Sequence, residues 1–309
     1  MKIITSLDRL QLSDKPLVIA LGNFDGVHLG HRQLLKITAD IAKSINGEGM
    51  VFTFYPHPQL LLTHNFQMLN IFEIKTKLIS SVGIDYTLII PFTNEIAKLS
   101  PREFFVDILC KKLNAAHLVA GFNYSFGYQG RGKAENLREL AKAYHIDATI
   151  MEPFFVDGEI VSSSKIREHL KSGEIKNAAK LLGYNPLIAG KVTVGNKIGR
   201  TIGFPTANLD WNREILIPGP GVYIVKVKII DTIKYGVLNI GYRPTVDANG
   251  RLTMEVNIFD FNENIYNQNI YIEFIDKLRD EQKFKDFKEL KEQISRDAAQ
   301  ARLILNKLG

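Results

Sequence analysis

The sequence predicts an α/β domain with a mostly parallel sheet, followed by a small antiparallel β-barrel and a C-terminal helix. Up to about residue 182, short apolar runs alternate with longer amphipathic runs, as in strand–helix–strand units. After residue 186, apolar runs follow one another across turns without helical runs between them. The length of 309 residues suggests two domains at roughly 150 residues each. We place the boundary so that the domains are 1–185 and 186–309.

The first half contains the alternating elements of a parallel sheet. Gly83 follows one of the helical runs, as a helix-ending residue does. Ser100, Pro101 and Glu103 have the spacing of a capping box that begins a helix. Because parallel strands need crossover connections, we expect helices on both faces of the sheet. The expected strands are 17–21, 50–54, 86–90 and 117–120, and the expected helices are 34–45, 71–82 and 101–112.

The second half is expected to form a barrel that one more helix closes. Turn-forming clusters at 218–221 and 247–250 separate successive apolar runs. A last amphipathic run, about 284–305, predicts the C-terminal helix. The expected strands are 188–194, a strand that carries Thr206 and Asn208, 221–230, 234–240, 253–259 and 269–275.

Composition and charge narrow the possible classes of protein. Hydrophobic residues make up 45% and charged residues 23%, which is ordinary for a folded domain and excludes disorder and coiled coils. The net charge of +6 suits nucleic acid, a membrane surface or nucleotides without choosing among them. No run reaches the ~20 apolar residues of a membrane span. The single cysteine, Cys110, excludes an internal disulfide and a cysteine zinc cluster. We therefore expect a reducing cytoplasm and no membrane partner.

The segment GNFDGVHLGH occupies residues 22–31, between the first strand and the first helix. Its glycines allow the backbone to approach phosphate oxygens, and the helix N-terminus offers free N–H groups. His28 and His31 lie three residues apart, so their rings can face one site. A zinc site needs three or four ligands, and the segment has neither a cysteine nor an HExxH companion. We favour two imidazoles that stabilise charge on a phosphoryl group, with a metal pair or surface histidines as the alternatives.

The same segment resembles the HxGH signature of the nucleotidyltransferase superfamily. In its full form it resembles the FAD synthetase module of the bacterial bifunctional riboflavin kinase/FMN adenylyltransferase family. The resemblance implies transfer of a nucleotidyl group from a nucleoside triphosphate to an acceptor, with release of pyrophosphate. It also implies that His28 and His31 are catalytic. The nucleotide contacts that it implies are Gly22, Asn23, Phe24, Asp25, Gly26 and Gly30.

Two further segments are similar to the same module. FYPHP, at 54–58, follows the second strand and resembles a turn of the module. GFNYSFG, at 121–127, resembles the element that lines the adenine and flavin side of the site. The resemblance implies that Asn123 contacts the nucleotide.

VSSSKIR, at 161–167, resembles the SSTxIR element of the module. The resemblance implies that Ser163, Ser164 and Arg167 hold the triphosphate. From the residues alone, serines that open a helix can either cap its N–H groups or bind phosphate. Arg167 lies one turn into the helix, where its guanidinium can fork onto two phosphate oxygens.

Residues 195–209, GNKIGRTIGFPTANL, form the densest group of functional residue types in the second half. Their glycines and cations predict a flexible basic loop that suits phosphates. Thr206 and Asn208 follow on a strand, where residues two apart point to one face. Their oxygens suit Mg²⁺, which prefers oxygen ligands completed by water and substrate phosphate. A solvated strand face or a turn is the alternative for this pair alone. The loop residues are Gly195, Lys197, Gly199, Arg200 and Gly203.

GRTIGFPTANL, at 199–209, resembles the signature motif of riboflavin kinases, which phosphorylate the ribityl 5′-hydroxyl of riboflavin. The resemblance implies that the basic loop covers the ATP phosphates and that the Thr/Asn pair holds Mg²⁺ with ATP. Glu255 matches the position of the family's catalytic glutamate, where a carboxylate can accept the hydroxyl proton. Judged alone, Glu255 would be an outward residue on an exposed strand. The further matching segments are 218–223, 239–245 and 278–284.

Together the two resemblances cover nearly the whole chain and imply a bifunctional enzyme of flavin cofactor synthesis. A riboflavin kinase barrel, 186–309, would convert riboflavin and ATP to FMN. A Rossmann-like nucleotidyltransferase domain, 1–185, would convert FMN and ATP to FAD and pyrophosphate. The expected partners are ATP, Mg²⁺ and the flavins riboflavin, FMN and FAD, and a homo-oligomer is left open.

Two alternatives remain. The first is a single-activity FAD synthetase whose barrel binds flavin without kinase activity, and Glu255 together with the Thr/Asn pair argues against it. The second is a nucleic-acid-binding barrel fused to a nucleotidyltransferase. Tyr223, Phe259 and Tyr266 could stack on bases, but no uninterrupted Lys/Arg run accompanies them. We therefore expect no nucleic acid partner.

Overall fold

The chain folds into two compact units, Met1–Ser163 and Ser164–Gly309. The first unit contains a parallel sheet and the second a closed antiparallel barrel, so the predicted fold class is confirmed. The barrel strands begin at Leu187, and the functional division after residue 185 stays a prediction. The computed structural model describes residues 1–63, 65–194, 203–243 and 251–307.

The main sheet of the first unit has six parallel strands in the order β1-β4-β3-β2-β5-β8. The strands of this unit are β1 Lys2–Ile4, β2 Leu17–Leu21, β3 Glu48–Phe54, β4 Tyr86–Ile90, β5 Ala115–Gly121, β6 Ser125–Phe126, β7 Gly132–Lys133, β8 Asp147–Met151, β9 Phe155–Val156 and β10 Glu159–Ile160. The helices are α1 Leu29–Ser44, α2 Pro58–Leu62, α3 Phe72–Ser80, α4 Asn94–Lys98, α5 Pro101–Glu103 with its continuation Phe104–Lys112, and α6 Ala134–Ala143.

Sequence and structure agree most closely at the centre of the sheet. Strands β2 and β4 begin and end where the apolar runs predict. Strands β3 and β5 each begin two residues earlier than expected. Helix α1 begins at Leu29 rather than at residue 34, because the side chain of His28 caps its first turn. The edge strands β1 and β8 were not predicted.

Helices cover both faces of the sheet, as predicted. Successive residues of a buried strand point to opposite faces. Val18 therefore packs in the cluster that contains Leu35 of α1, and Ile19 packs in the cluster that contains Phe105 and Leu137. The site described below lies at the carboxyl edge of this sheet.

The predicted capping box at residues 100–103 is present. Glu103 N–H donates to Ser100 Oγ at 3.2 Å, and Ser100 N–H donates to Glu103 Oε2 at 2.7 Å. Beyond Glu103 the chain continues as a π-helix over Phe104–Lys112 rather than as the expected α-helix. Its last turn includes a bond from Leu113 N–H to the Ile108 carbonyl at 3.0 Å. Apolar residues four apart fit either helix, so the sequence pattern alone could not distinguish them.

The second unit is a closed six-stranded barrel with helices before and after it. The strand order is β11-β12-β15-β14-β13-β16, and each neighbouring pair is antiparallel. Helix α7, Ser163–Lys171, begins at the last residue of the first unit, and α8 is Ile175–Leu182. The remaining elements are β11 Leu187–Thr193, β12 Ala207–Trp211, β13 Gly221–Ile229, β14 Thr232–Arg243, β15 Arg251–Ile258, β16 Asn269–Arg279 and α9 Phe287–Leu305.

Helix α9 is fixed to the barrel by a salt bridge that is largely shielded from water. Arg279 Nε and Nη2 donate to Asp297 Oδ1 and Oδ2 at 3.0 and 2.8 Å. The Asp297 side chain is only 5% exposed. Ala301, one turn further along, packs with Ile224 and Phe259 in the cluster beneath the helix.

Removing the buried partner should destabilise the barrel. We expect Asp297→Ala to lower the free energy of unfolding by about 3 kcal/mol, because it leaves the Arg279 guanidinium without its carboxylate. The control is Asp260→Asn, which removes the charge of an exposed pair with Arg302, tolerates the left-handed backbone at this position (φ 52°) and should cost much less. Denaturant unfolding followed by the fluorescence of Trp211, the only tryptophan, measures both. Equal losses would contradict this role of the salt bridge.

Candidate functional sites

The turn between β2 and α1 carries the first group of predicted site residues. Its backbone is left-handed at Phe24 (φ 47°), Gly26 (φ 83°) and Val27 (φ 37°). Glycine adopts this conformation freely, whereas Phe24 and Val27 need surrounding structure to hold them there. Both side chains are buried in the core cluster on the α1 side of the sheet. The turn is therefore held by core packing.

His28 and His31 meet at the start of α1. The backbone N–H of His31 donates to His28 Nδ1 at 3.2 Å, so the Nε2 atom of a neutral His28 carries the proton. The two rings stack, with centroids 3.5 Å apart and planes inclined by 13°. The His31 and Phe24 rings also form an edge-to-face pair, at a centroid distance of 5.2 Å. The structure thus brings the predicted histidine pair together.

The surroundings hold His31 in its neutral form. Burial of the ring, with the charges of His28 and Lys75 acting in the same direction, holds the pKa of His31 well below its ordinary value. Its Nδ1 atom is buried and has no hydrogen-bond partner in the described part of the chain. A neutral imidazole still donates through one ring N–H. His31 is therefore a neutral imidazole whose Nδ1 atom makes no hydrogen bond within the described part of the chain.

Two glycines of the motif leave room for these rings. A Cβ on Gly30 would lie 3.4 Å from the His28 ring and 3.5 Å from the Cβ of Phe154. A Cβ on Gly22 would lie 3.2 Å from the ring of Phe24. A side chain at residue 22 would therefore require the Phe24 ring to move by a few tenths of an ångström, whereas a Cβ at residue 30 would make ordinary van der Waals contact.

Asp25 and Ser163 connect the turn to neighbouring segments. The Asp25 carboxylate is buried and accepts a hydrogen bond from Leu69 N–H at 2.9 Å. The Ser163 hydroxyl donates to the Asp25 carbonyl at 2.8 Å. Ser163 thus lies against the turn at the first residue of α7. Ser164 and Arg167 follow on that helix, where Ser164 is exposed and Arg167 half-buried.

Asn123 lies at the same edge of the sheet. Strand β5 pairs with β2, and Leu21 is opposite Ala120, so both strands leave the sheet at neighbouring points. Asn123 is exposed in the loop that follows β5. Its Oδ1 would lie 3.4 Å from a Cβ on Gly121. Open α/β sheets bind ligands at this carboxyl edge.

Lys75 is a residue of this region that sequence analysis missed. Its side chain is buried, and its ammonium donates to the Asn23 carbonyl at 2.7 Å and to Thr53 Oγ1 at 2.9 Å. A signal for it exists in the sequence. Lys75 lies four residues from both Ile71 and Ile79, so it falls on the apolar stripe of α3.

In the second unit, three predicted residues lie together on the outer surface of the barrel. Residues directly opposite each other on paired strands share a face. Glu255 of β15 is opposite Asn208 of β12 on one side and Asn239 of β14 on the other. Thr206 Oγ1 donates to Glu255 Oε2 at 3.4 Å. Asn239 was not singled out as a site residue, although it lies in a matched segment.

Thr206 lies one residue before β12, rather than on the strand as predicted. It is positioned instead by Asn257, whose Nδ2 donates to the carbonyl of Pro205 at 2.8 Å. A cavity of about 290 Å³ opens beside Thr206. Its other lining residues are Val192, Pro205, Ala207, Val256, Ile258, Phe261, Asn262, Glu263, Asn264, Ile265 and Tyr266.

The loop before Thr206 is described only from residue 203 onward. Gly203 has a φ of 88°, and a Cβ there would contact no heavy atom of the described residues within 4 Å. The threonine hydroxyl, the asparagine amide and the carboxylate beside them are hard oxygen donors, which fit Mg²⁺. The remaining predicted loop residues, which lie outside the described residues, are Gly195, Lys197, Gly199 and Arg200.

Comparison with known proteins matches both units to defined families. A family model described as FAD synthetase matches residues 10–165, and one described as riboflavin kinase matches residues 182–305. The chain is 37% identical to the bifunctional riboflavin kinase/FMN adenylyltransferase of Bacillus subtilis (strain 168), over 92% of this chain and 91% of that protein. The chain belongs to this bifunctional family.

Other members support the same assignment. The riboflavin kinase/FMN adenylyltransferase of Escherichia coli (strain K12) is 36% identical, over 98% of this chain and 97% of that protein. The family resemblance predicted from the sequence motifs is therefore confirmed, as is the class of enzyme. The matched domains follow one another in the predicted order.

A solved structure whose title does not mention flavin enzymes has the same fold as the present chain. The crystal structure titled macrolide-efflux protein from Streptococcus pneumoniae matches with a TM-score of 0.85 and 31% identity, over 96% of each chain. That title describes the Streptococcus protein. In the described ranges of the present chain, no helix is both long enough and apolar enough to cross a membrane.

The neutral state of His31 predicts a change of stability with pH. Because its folded pKa lies below the unfolded value of about 6.5, the unfolded state takes up the proton first as the pH falls. Stability that is present above about pH 6.5 should therefore decline below it. We expect His31→Gln to lose less unfolding free energy than the wild type between pH 7.5 and 5.5.

The control for this measurement is His145→Asn, which changes an exposed histidine. We expect it to retain the pH dependence of the wild type. The same loss in His31→Gln as in the wild type would show that His31 is not held neutral by the fold.

Proposed function

We propose that the chain catalyses two consecutive transfers in flavin cofactor synthesis. The barrel domain transfers the γ-phosphate of ATP to riboflavin, and the α/β domain transfers the AMP group of a second ATP to the FMN phosphate. The observation that carries this proposal is that one chain contains both family domains, each with its predicted reactive side chains in one place. We assign the first reaction to residues 186–309 and the second to residues 1–185.

In the adenylyl transfer, an FMN phosphate oxygen attacks the α-phosphorus of ATP and pyrophosphate leaves. No covalent enzyme intermediate is needed, because the phosphate is itself a good nucleophile. The imidazole N–H groups of His28 and His31 donate to phosphate oxygens that gain charge in the transition state. Ser163, Ser164 and Arg167 hold the triphosphate with the N-terminus of α7.

The remaining nucleotide contacts belong to the turn and to the loop after β5. Gly22, Gly26 and Gly30 bring the backbone close to ATP, and Asn123 contacts the nucleotide from the neighbouring loop. The Asp25 carboxylate accepts a hydrogen bond from Leu69 N–H, which helps to hold the shape of the turn. The further contacts are the backbones of Asn23 and Phe24.

In the kinase reaction, Glu255 accepts the proton of the riboflavin 5′-hydroxyl as its oxygen attacks the γ-phosphorus of ATP, and ADP leaves. The hydroxyl of Thr206, 3.4 Å from Glu255 Oε2, and the amide oxygen of Asn208 would hold Mg²⁺. When bound, the ion neutralises phosphate charge. Lys197 and Arg200, which lie outside the described residues, would bind the ATP phosphates.

We propose a cytoplasmic enzyme whose partners are ATP, riboflavin and FMN. Burial argues against the nucleic-acid alternative. Tyr223 is 0% exposed and Phe259 is 7% exposed, so two of the three aromatic side chains that would stack on bases lie in the core instead. The presence of Thr206 beside Glu255 supports an active kinase over a barrel that only binds flavin.

Product analysis tests the two activities together. We expect purified protein with riboflavin, ATP and Mg²⁺ to accumulate FMN and then FAD, separated by liquid chromatography. FMN without FAD would contradict the adenylyltransferase assignment. FAD from supplied FMN, with no product from riboflavin, would contradict the kinase assignment.

Single substitutions should separate the activities. Glu255→Gln removes the base, so we expect riboflavin phosphorylation to fall by about 10²–10⁴-fold while FAD formation from FMN stays within twofold. His31→Ala should have the opposite effect. The control is Glu292→Gln, an exposed residue of α9 that should change neither rate. Parallel loss of both activities in either variant would count against separate sites.

A further inference from the structure

The ammonium of Lys75 lies beneath the turn that precedes the histidine pair. It donates to three neutral oxygens, at 2.7 Å to the Asn23 carbonyl, 2.9 Å to Thr53 Oγ1 and 3.4 Å to the Phe54 carbonyl. These use all three of its N–H groups. Within the described chain, no carboxylate forms an ion pair with it. The charge of Asp25 favours the ammonium without a direct bond.

A buried charge at this position needs a reason other than packing. Lys75 is 5% exposed and lies between apolar residues of α3, where an apolar side chain would avoid the cost of desolvation. Its three acceptors belong to two segments that α3 itself does not contain, the turn after β2 and the end of β3. Both segments end at the carboxyl edge of the sheet. Lys75 therefore links the two strand ends that border the histidine site.

The hydrogen bond from Lys75 to the Asn23 carbonyl lies next to the left-handed residues of the turn. The next residue, Phe24, has a left-handed backbone, and Val27 repeats this three residues later. Thr53 also helps to fix this carbonyl, because its hydroxyl donates a second hydrogen bond to the Asn23 carbonyl oxygen at 3.1 Å. His28 and His31 follow directly on this turn, so a shift of Asn23 moves the start of α1.

We propose that Lys75 is a positioning residue for adenylyl transfer, whose ammonium fixes the Asn23 carbonyl and so sets the turn that presents His28 and His31. This inference rests on the proposed FMN adenylyltransferase activity of the first domain. Lys75 lies below the turn and acts on the substrates only through it. Burial and the neighbouring His28 lower the pKa of His31, and the positive charge of Lys75 acts in the same direction.

This arrangement makes adenylyl transfer sensitive to alkaline pH. Burial lowers the pKa of Lys75 to about 8, and the charge of Asp25 opposes that change. The titratable groups that act on it are Asp25 in the turn and His31 of α1, whereas β3 presents a hydroxyl and a carbonyl. As the pH rises through about 8, Lys75 loses a proton and one of its donors. The hydrogen bonding of Lys75 to the Asn23 carbonyl then weakens.

The first test compares Lys75→Met with Lys77→Met, which removes an exposed lysine from the same helix. The rates of FMN adenylylation and riboflavin phosphorylation are measured between pH 6 and 9.5. For Lys75→Met at pH 7, we expect adenylylation to fall at least about tenfold, a loss that reflects misplacement rather than a missing catalytic group. Riboflavin phosphorylation should stay within twofold. The decline of adenylylation near pH 8 should be present in the wild type and Lys77→Met and absent in Lys75→Met.

The second test follows the His31 ring by NMR titration, which does not depend on turnover. Loss of the Lys75 charge should raise the pKa of His31 in Lys75→Met and leave it unchanged in Lys77→Met. If Lys75→Met does not fold, Thr53→Val serves instead. It removes one acceptor of the ammonium, so the alkaline decline should move to lower pH.

Several results would overturn the proposal. These are an unchanged His31 titration in Lys75→Met, an alkaline decline that persists in that variant, or an equal loss of the kinase reaction. Failure of the proposed function looks different, because the wild type itself would then form no FAD from FMN. In that case a raised His31 pKa in Lys75→Met still supports the link between Lys75 and the histidine, and an unchanged one still contradicts it.

Discussion

The arrangement of the first unit depends on the left-handed backbone of the turn between β2 and α1. Phe24 and Val27 each hold a positive φ, which costs about 1–3 kcal/mol for a residue with a side chain. Burial of the Phe24 ring offsets a cost of this size, since burying such a side chain contributes about 1.5–3 kcal/mol. The turn conformation and the core are thus stabilised together. Helix α1 consequently starts at Leu29, with His28 as its cap and the two imidazole rings stacked.

The arrangement of the second unit depends on the closure of its β-barrel. Closure fixes the register of each strand, and the alternation of β15 places Met254 and Val256 inside and Glu255 outside. A slip of one residue would bury the carboxylate in the core. The same register places Asn208 and Asn239 on either side of Glu255, so the polar row follows from how the barrel is packed. The predicted kinase residues of this unit thus lie on the surface of the barrel that does not pack in its core.

The sequence predicts most of the fold and fails where local pattern carries little information. Central strands such as Leu17–Leu21 were predicted to the residue because they are buried on both faces, whereas the three-residue edge strand Lys2–Ile4 has no such signature. The π-helix over Phe104–Lys112 has the apolar spacing of an α-helix. The motifs pointed to residues that the structure brings together, His28 with His31 and Thr206 with Glu255, and the roles of these residues stay predictions. Lys75 was missed because a charged residue on an apolar stripe is explained only by partners that are distant in the sequence.

The two proposed transfers use different phosphorus atoms of ATP. Labelling ATP in separate experiments at the γ- and α-phosphate, with riboflavin as the acceptor, follows each atom into the products. We expect the γ-label to appear in FMN and to be retained in FAD, while the α-label appears in FAD and never in FMN. An α-label in FMN, or FAD without the α-label, would contradict the two proposed transfers.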